Sequence, residues 1–331
     1  MKKKVRFGIL GTAIIARESM IAALHASSLC EPVALASRDP EKAREWASRT
    51  DVPKYYSSYE KLLEDPQVEA VYIPLPNHLH LPWTLKALKA GKHVLCEKPL
   101  TTHVEEALLL LEELSLHPGL KVMEGGMYRF HPQWQTARKM VLEGSLGKLR
   151  NVVSLFAFYD DDPRSIVNRK DYGGGALLDI GYYNVSLARF LFDEEPLSVM
   201  GEVSYDASSG IDITSTGVMR FTGGTSAFTC SIRMNDEQHV RILGEKGTLV
   251  MERPFNPSPD QVQQLLLITS EGNREIRIPP ADQYARMADA FARAILENKP
   301  VPLPLEDAVN NLRVLAAVPE SAKEGKRILL R

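Results

Sequence analysis

Long apolar runs, paired cysteines and an excess of either charge are all missing from this chain of 331 residues, and each absence closes off a class of function. No stretch approaches the roughly 20 consecutive apolar residues that a membrane-spanning helix needs. Only three cysteines occur, Cys30, Cys96 and Cys230, and their odd number, wide spacing and lack of a C-x-x-C pair argue against a disulfide framework or a zinc module. Lys and Arg number 40 against 42 Asp and Glu, a formal net charge of -2, so no electrostatic case for nucleic acid or an anionic membrane arises. Repeats and low-complexity segments are absent too. What remains is the composition of a soluble globular protein, 44% hydrophobic and 25% charged, for which a reducing, cytoplasmic setting is the expectation. Met1 to Arg6 is basic and Phe7 to Ala16 apolar, a superficial match to a secretory leader. The same residues read better as a strand and turn, since Arg17-Glu18 follow at once.

At about 150 residues per domain, the length fits two domains. Val5 to Leu10 is a short apolar run closed by Gly11, and Ala13 to Ala26 carries apolar residues at helical spacing. The alternation continues with a strand over Pro32 to Ala36, a helix over Pro40 to Arg49 behind the capping residue Asp39, and Tyr55-Tyr56. Next come a helix over Ser58 to Glu64, a strand over Ala70 to Leu75, a helix over Leu81 to Ala90 and a strand over His93 to Cys96. A helix over Val104 to Leu116 and a strand over Lys121 to Glu124 complete it. Strands apolar on both faces and separated by helices predict a parallel sheet covered on both sides, a doubly wound α/β domain over residues 1–125.

Beyond His131 the pattern changes. A helix over Pro132 to Leu142 ends at Gly144, and β-branched and aromatic runs follow at Val152 to Tyr159, Val199 to Tyr205, Ile211 to Phe221, Thr225 to Ile232 and Val240 to Leu243. Turn signals stand at Thr222-Gly223-Gly224 and Gly244-Glu245-Lys246-Gly247. Gly174 to Phe192 reads as one long helix, and Asp282 to Glu297 and Leu305 to Glu324 as two closing ones, the second kinked at Pro319. Residues 126–331 are thus expected to form an α+β domain with a large, mainly antiparallel open sheet, its final helix free to pack back on the first domain.

The segment from Gly8 to Ala16 stands where the first strand hands over to the first helix. A dinucleotide needs a small residue at that turn, another where backbone nears pyrophosphate and a third where helix meets strand. Gly11, Ala13 and Ala16 occupy those places, and Gly11, Thr12, Ala13 and Ile14 become candidate cofactor contacts. No acidic residue ends the second strand, where one would hold the ribose 2′-hydroxyl of NAD. Ser37 and Arg38 stand there and suit the 2′-phosphate of NADP, because a planar guanidinium grips phosphate through charge-assisted hydrogen bonds. Asp39 can compete for the ribose, which leaves NAD open.

Ligands of an open parallel sheet bind beyond the carboxyl ends of its strands. Leu75-Pro76-Asn77 ends one strand and Glu97-Lys98-Pro99 the next, so Leu75, Pro76, Asn77, Glu97 and Lys98 are expected to border the nicotinamide, with His80 counted beside them. His78-Leu79-His80 has no carboxylate or cysteine at matching spacing, so no metal is expected. A lysine where a buried strand runs out, between a carboxylate and a proline, is costly unless its charge is used. The second cluster runs from Gly173 to Tyr183; on a helix Asp179 and Tyr183 share a face, and the glycines before them leave room for a ligand or another backbone.

Together, the Gly-Thr-Ala-x-Ile-Ala turn, Ser37-Arg38, the run from Gly91 to Pro99, Tyr128-Arg129-Phe130-His131 and the run from Gly173 to Gly181 resemble the Gfo/Idh/MocA oxidoreductase family over nearly the whole chain. The similar branch holds dimeric dihydrodiol dehydrogenase, NADP-dependent D-xylose dehydrogenase and glucose-fructose oxidoreductase. The resemblance implies a Rossmann domain, a C-terminal domain whose open sheet builds a homodimer or homotetramer, and hydride transfer between NAD(P) and a sugar or cyclic polyol. It puts the family's lysine on Lys98 and its helix aspartate on Asp179, and it adds Arg129 to the cofactor contacts. Many members carry histidine four residues after that aspartate; Tyr183 here argues against an inositol dehydrogenase. The lack of a twin-arginine leader argues against an exported glucose-fructose enzyme.

Oxidising an alcohol carbon sends hydride to C4 of the nicotinamide and the hydroxyl proton to a base. Tyrosine, with an ordinary pKa of about 10, serves at neutral pH only beside a cation. Tyr183 is therefore the candidate general acid/base, Lys98 its pKa-lowering partner and a substrate ligand, and Asp179 the group that orients substrate. Exchange of roles between Lys98 and Tyr183 stays open, because coupled groups titrate as a pair. Tyr159 and Arg164, in a polar loop with Asp161, Asp162 and Asn168, are candidate substrate contacts. The expected activity is of the aldose 1-dehydrogenase or dihydrodiol dehydrogenase type. The alternatives are a glucose-fructose oxidoreductase-like enzyme with tightly held NADP and a non-catalytic NADP-sensing regulator, which should lack Lys98 and the helix pair.

Overall fold

In the computed structural model, which describes residues 3–330, the chain divides into two units. One is the described residues up to Met127 with Asp282–Val309; the other is Tyr128–Ala281 with the described residues from Asn310 onward. The boundary expected after residue 125 thus falls after Met127, and the penultimate helix groups with the first unit.

The first unit is built on six parallel strands: β1 (Val5–Leu10), β2 (Cys30–Ala36), β3 (Lys54–Tyr56), β4 (Ala70–Ile73), β5 (His93–Cys96) and β6 (Val122–Glu124). Their order is β3-β2-β1-β4-β5-β6, so the direction of winding reverses between β1 and β4, the switch point at which such sheets take ligands. The connecting helices are α1 (Ile21–Ala26, continuing a π turn over Ala16–Met20), α2 (Pro40–Arg49), α3 (Tyr59–Leu63), α4 (His80–Lys89) and α5 (Val104–Ser115). Local chemistry sets their starts: Ser58 accepts from Lys61 N–H ahead of α3, and Asp39 caps α2 with Pro40 in its first turn. All four residues of β4 are buried, as a strand covered on both faces requires.

The second unit opens with α6 (Pro132–Leu142) and carries α7 (Tyr182–Phe192). Its strands are β7 (Leu149–Tyr159), β8 (Ser198–Tyr205), β9 (Asp212–Arg220), β10 (Thr225–Ser231), β11 (Arg233–Gly244), β12 (Gly247–Met251), β13 (Gln263–Thr269) and β14 (Gly272–Ile278). With β15 (Ile328–Leu329) they form one nine-stranded sheet in the order β14-β13-β12-β11-β7-β10-β9-β8-β15, antiparallel except where β10 runs parallel to β7. The strand expected at Val240–Leu243 starts at Arg233, and β12 to β15 were not foreseen as strands. The helix expected from Gly174 begins only at Ala176, because Gly173 and Gly175 hold positive φ angles of 74° and 115°. It then runs through a π turn, Leu177–Gly181, into α7.

After β14 come α8 (Gln283–Leu296) and α9 (Leu305–Glu324), the latter with Pro319 inside it. Within the first unit α8 packs on the sheet, Phe291 lying 6.2 Å from Phe7 and Asp289 accepting from Ser27 Oγ. Within the second unit the later part of α9 covers β8, where a side chain on Gly201 would come within 2.7 Å of Val318. Among the described residues no helix is long and apolar enough to cross a membrane.

Buried polar groups hold the loops at the carboxyl ends of β4 and β5. The fully buried ring of His80 has Nδ1 2.7 Å from the Pro99 carbonyl and Nε2 2.7 Å from that of Leu75. Glu124 accepts the Leu100 N–H at 2.7 Å, and the Tyr72 hydroxyl donates to Glu97 at 2.6 Å; the Lys98–Pro99 peptide is cis. Burial outweighs the two carbonyl acceptors and pushes the His80 pKa from 6.5 down to about 4. Between those values the unfolded chain takes up a proton that the folded chain refuses, so stability present above pH 6.5 is lost on acidification, by up to roughly 3 kcal/mol. In urea titrations H80Q should be less stable than wild type at neutral pH, and the gap should narrow as pH falls toward 4. A gap that stays constant would contradict a neutral buried ring.

Candidate active site

Gly11 has φ 110°, its N–H donates to the Ala36 carbonyl at 2.8 Å, and a Cβ there would lie 2.9 Å from Leu75 Cδ2. Thr12 and Ala13 are half-buried, Ile14 is exposed where the helix begins, and Ala16 is fully buried as the packing residue. Small residues and a helix start together fit a dinucleotide pyrophosphate. At the end of β2, Ser37 is buried and its Oγ accepts the Asp39 N–H at 3.1 Å. Arg38 is exposed, and its guanidinium donates to the Tyr59 hydroxyl. Asp39 accepts the N–H groups of Glu41 and Lys42 at 3.1 and 3.2 Å, so the competitor for the ribose is engaged as the cap of α2. The residues present fit a 2′-phosphorylated dinucleotide.

Across the switch point, Leu75 is buried and Pro76 and Asn77 are half-buried, with Asn77–Leu79 in a 3-10 turn. Glu97 N–H donates to the Ile73 carbonyl at 3.0 Å, which joins the two strand-end loops. Tyr72 is pushed well above its ordinary pKa by burial and by the Glu97 carboxylate, and so stays a donor. Between Glu97 and the buried Pro99, Lys98 is half-buried at the end of β5. His80, expected among the cofactor contacts, lies beneath these loops instead: a fully buried ring with both nitrogens at loop carbonyls supports Leu75 and Pro99 from behind. The Cys96 thiol is pushed well above its ordinary pKa by burial and takes no part.

The second unit carries the helix pair. Asp179 is half-buried in the π turn, its N–H donating to the Gly175 carbonyl at 3.2 Å. Tyr183, on α7, is 5% exposed inside a box of rings, with Tyr128, Phe156, Tyr182 and Phe255 centred 5.6, 5.4, 5.4 and 5.2 Å away. Arg129, expected at the cofactor, belongs to this unit and packs on α7: it donates to Ser186 Oγ at 2.8 Å and lies 5.1 Å over the Phe190 ring. The two polar-loop candidates face solvent. Tyr159 is 63% exposed and donates to Asp161, and Arg164 is fastened to Asp162 through two nitrogens.

Sequence reasoning missed Asp212. It opens β9, accepts the Leu177 N–H on Oδ2 at 2.6 Å, and burial pushes its pKa up to about 6. Ile211-Asp212-Ile213 reads as ordinary strand alternation, so nothing local marks it.

Comparison with known proteins adds the lineage. Residues 5–122 match the model of an oxidoreductase family with an NAD-binding Rossmann fold, and residues 134–250 match the GFO/IDH/MocA C-terminal domain. The chain is 36% identical to D-xylose 1-dehydrogenase (NADP(+)) 2 of Haloferax volcanii, over 98% of this chain and 99% of that one. It is 35% identical to dTDP-3,4-didehydro-2,6-dideoxy-alpha-D-glucose 3-reductase of Saccharopolyspora spinosa, over 99% of each chain. Among solved structures, the 3-ketoreductase KijD10 of Actinomadura kijaniata with NADP and TDP-benzene superposes with a TM-score of 0.90 at 31% identity, covering 96% of this chain and 98% of that one. With the Gly11 turn, the strand-end lysine and both domain models in place, this chain belongs to the Gfo/Idh/MocA family of NAD(P)-dependent oxidoreductases.

Proposed function

We propose that the protein is an NADP-dependent oxidoreductase that moves hydride between the nicotinamide and a carbon-bound hydroxyl of a sugar or cyclic polyol, as an aldose 1-dehydrogenase or dihydrodiol dehydrogenase does. The observation that carries this reading is Lys98, half-buried at the end of β5 in a loop that Tyr72, His80 and Glu124 hold by named bonds. Relatives named for sugar and sugar-nucleotide chemistry support the substrate class. A bound nicotinamide supplies the carbon that accepts or returns hydride. Tyr183 takes the hydroxyl proton at its phenol oxygen, Lys98 favours the phenolate and binds the same substrate hydroxyl, and Asp179 orients the sugar. Arg38 and Ser37 take the 2′-phosphate, and Gly11, Thr12, Ala13 and Ile14 take the pyrophosphate. Buried, unpaired Cys30, Cys96 and Cys230 suit a reducing, cytoplasmic setting.

A homodimer or homotetramer through the open sheet completes the proposal. Met200 of β8 and Val218 of β9 are directly paired across the hairpin and are 50% and 47% exposed, an apolar spot on the face opposite α9.

A screen of pentoses, hexoses, deoxy-sugars and dihydrodiols with NADP+, beginning with D-xylose, identifies the substrate. On it, Y183F and K98A should each lower kcat by about 100-fold or more while NADPH fluorescence titration shows binding intact; unchanged turnover in both would sink the assignment. R38A should weaken NADP at least tenfold and leave NAD nearly unaffected, the loss of charged hydrogen bonds to one phosphate. Equal losses for the two cofactors reject that role. By light scattering, M200E with V218E should convert an oligomer into smaller species, and a wild-type monomer would refute the sheet interface.

A further inference from the structure

We propose that Asp212 is the positioning residue for Asp179: its carboxylate, seated where Gly175 has no side chain and bonded to the Leu177 N–H, sets the turn from which Asp179 meets substrate. The inference rests on the reading of Asp179 as a site residue.

The links are continuous and lie in one unit. Gly175 holds φ 115°, and a Cβ there would run into Asp212 Oδ1, so the carboxylate fills the space of the missing side chain. On the other side of the same turn, Gly174 and Gly175 donate their N–H groups to the carbonyls of Arg169 and Val167, both at 2.9 Å. The Gly175 carbonyl receives the Asp179 N–H at 3.2 Å, and Asp212 Oδ2 receives the Leu177 N–H at 2.6 Å, with Ser215 Oγ at 3.5 Å. Moving the carboxylate therefore moves both ends of the short segment that presents Asp179.

Asp212 faces Asp179 from the helix, Cys230 from β10 and Tyr205 from β8, none of them a cation, and burial pushes its pKa up to about 6. What the turn uses is an oxygen for the Leu177 N–H on a side chain of this size against Gly175, which an amide can also supply. The position of Asp212 against a glycine that admits no other side chain points to the geometry of the segment as the gain.

Full-length D212A, D212S and D212N are compared with wild type and D179N, with NADP+ and D-xylose or the best sugar of the screen. D212A and D212S should lose about tenfold or more in kcat at saturating sugar, keep the NADPH dissociation constant within about twofold and remain folded by circular dichroism. D212N, which restores an oxygen for the Leu177 N–H, should recover kcat to within about threefold. By hydrogen exchange, amides of residues 175–181 should exchange faster in D212A and return to the wild-type rate in D212N. Overturning results are wild-type kcat in D212A, D212N as slow as D212A, unchanged exchange over 175–181, or unfolding of D212A and D212S alike, which would make the carboxylate a fold residue. Wild-type turnover in D179N is a different failure, that of Asp179 as a site residue. Should no sugar turn over, the exchange comparison decides the role of Asp212 by itself.

Discussion

A strand buried on both faces offers nothing to solvent along its length, so any chemistry done by a parallel sheet must stand where its strands end. In the first unit β4 is buried at every residue and β5 at all but its first. The chain leaves them through loops whose backbone groups have lost their ladder partners, and buried groups of this kind must be bonded. The neutral His80 ring lies between the Leu75 and Pro99 carbonyls and donates to one of them, Glu124 accepts the Leu100 N–H, and Tyr72 holds the Glu97 carboxylate. Rigid loops at the switch point follow from this bonding, and Lys98 stands in the middle of one of them.

The second unit reaches a similar end by different means. Strands such as β9 and β10 alternate between more and less buried residues, and the unit's candidate groups ride on a helix. The π turn widens that helix at Leu177–Gly181, where Asp179 sits, a feature that recurs at functional sites. One turn on, Tyr183 stands among four rings whose edges and faces fix the position of its own. A phenol so confined holds its oxygen in one place, which suits the proposed proton exchange with a bound hydroxyl.

Legibility followed the same physics. The first unit was read nearly element by element, and β1, β5 and α2 lie at their expected bounds, because strands apolar on both faces separated by amphipathic helices leave a strong signal. The second unit was read in part. β11 carries Arg233 to His239, a run without an apolar face, and was seen only from Val240; β13 and β14 alternate too weakly against an open face. At the candidate site, local backbone features such as the Gly11 turn, Lys98 at the end of β5 and the glycines before Asp179 were legible in the sequence. Asp212, Glu124 and Tyr72 were not, since their roles come from partners distant along the chain. His80 was misassigned for the same reason: a histidine after a loop resembles a ligand contact until its burial is known.

At the cofactor end, capping bonds bear on the two readings of Arg38 and Asp39. From sequence, Asp39 competes for a ribose while Arg38 suits a phosphate. In the structure Asp39 Oδ1 satisfies two N–H groups at the start of α2 that have no partner within the helix. The cap uses Oδ1 alone, so a ribose hydroxyl would have to use Oδ2 or displace a cap worth about 1 kcal/mol. Arg38 carries no such duty: it is exposed and meets the Tyr59 hydroxyl, a neutral partner. An exposed guanidinium at the end of β2 suits the proposed 2′-phosphate contact, because it can grip phosphate through charge-assisted hydrogen bonds.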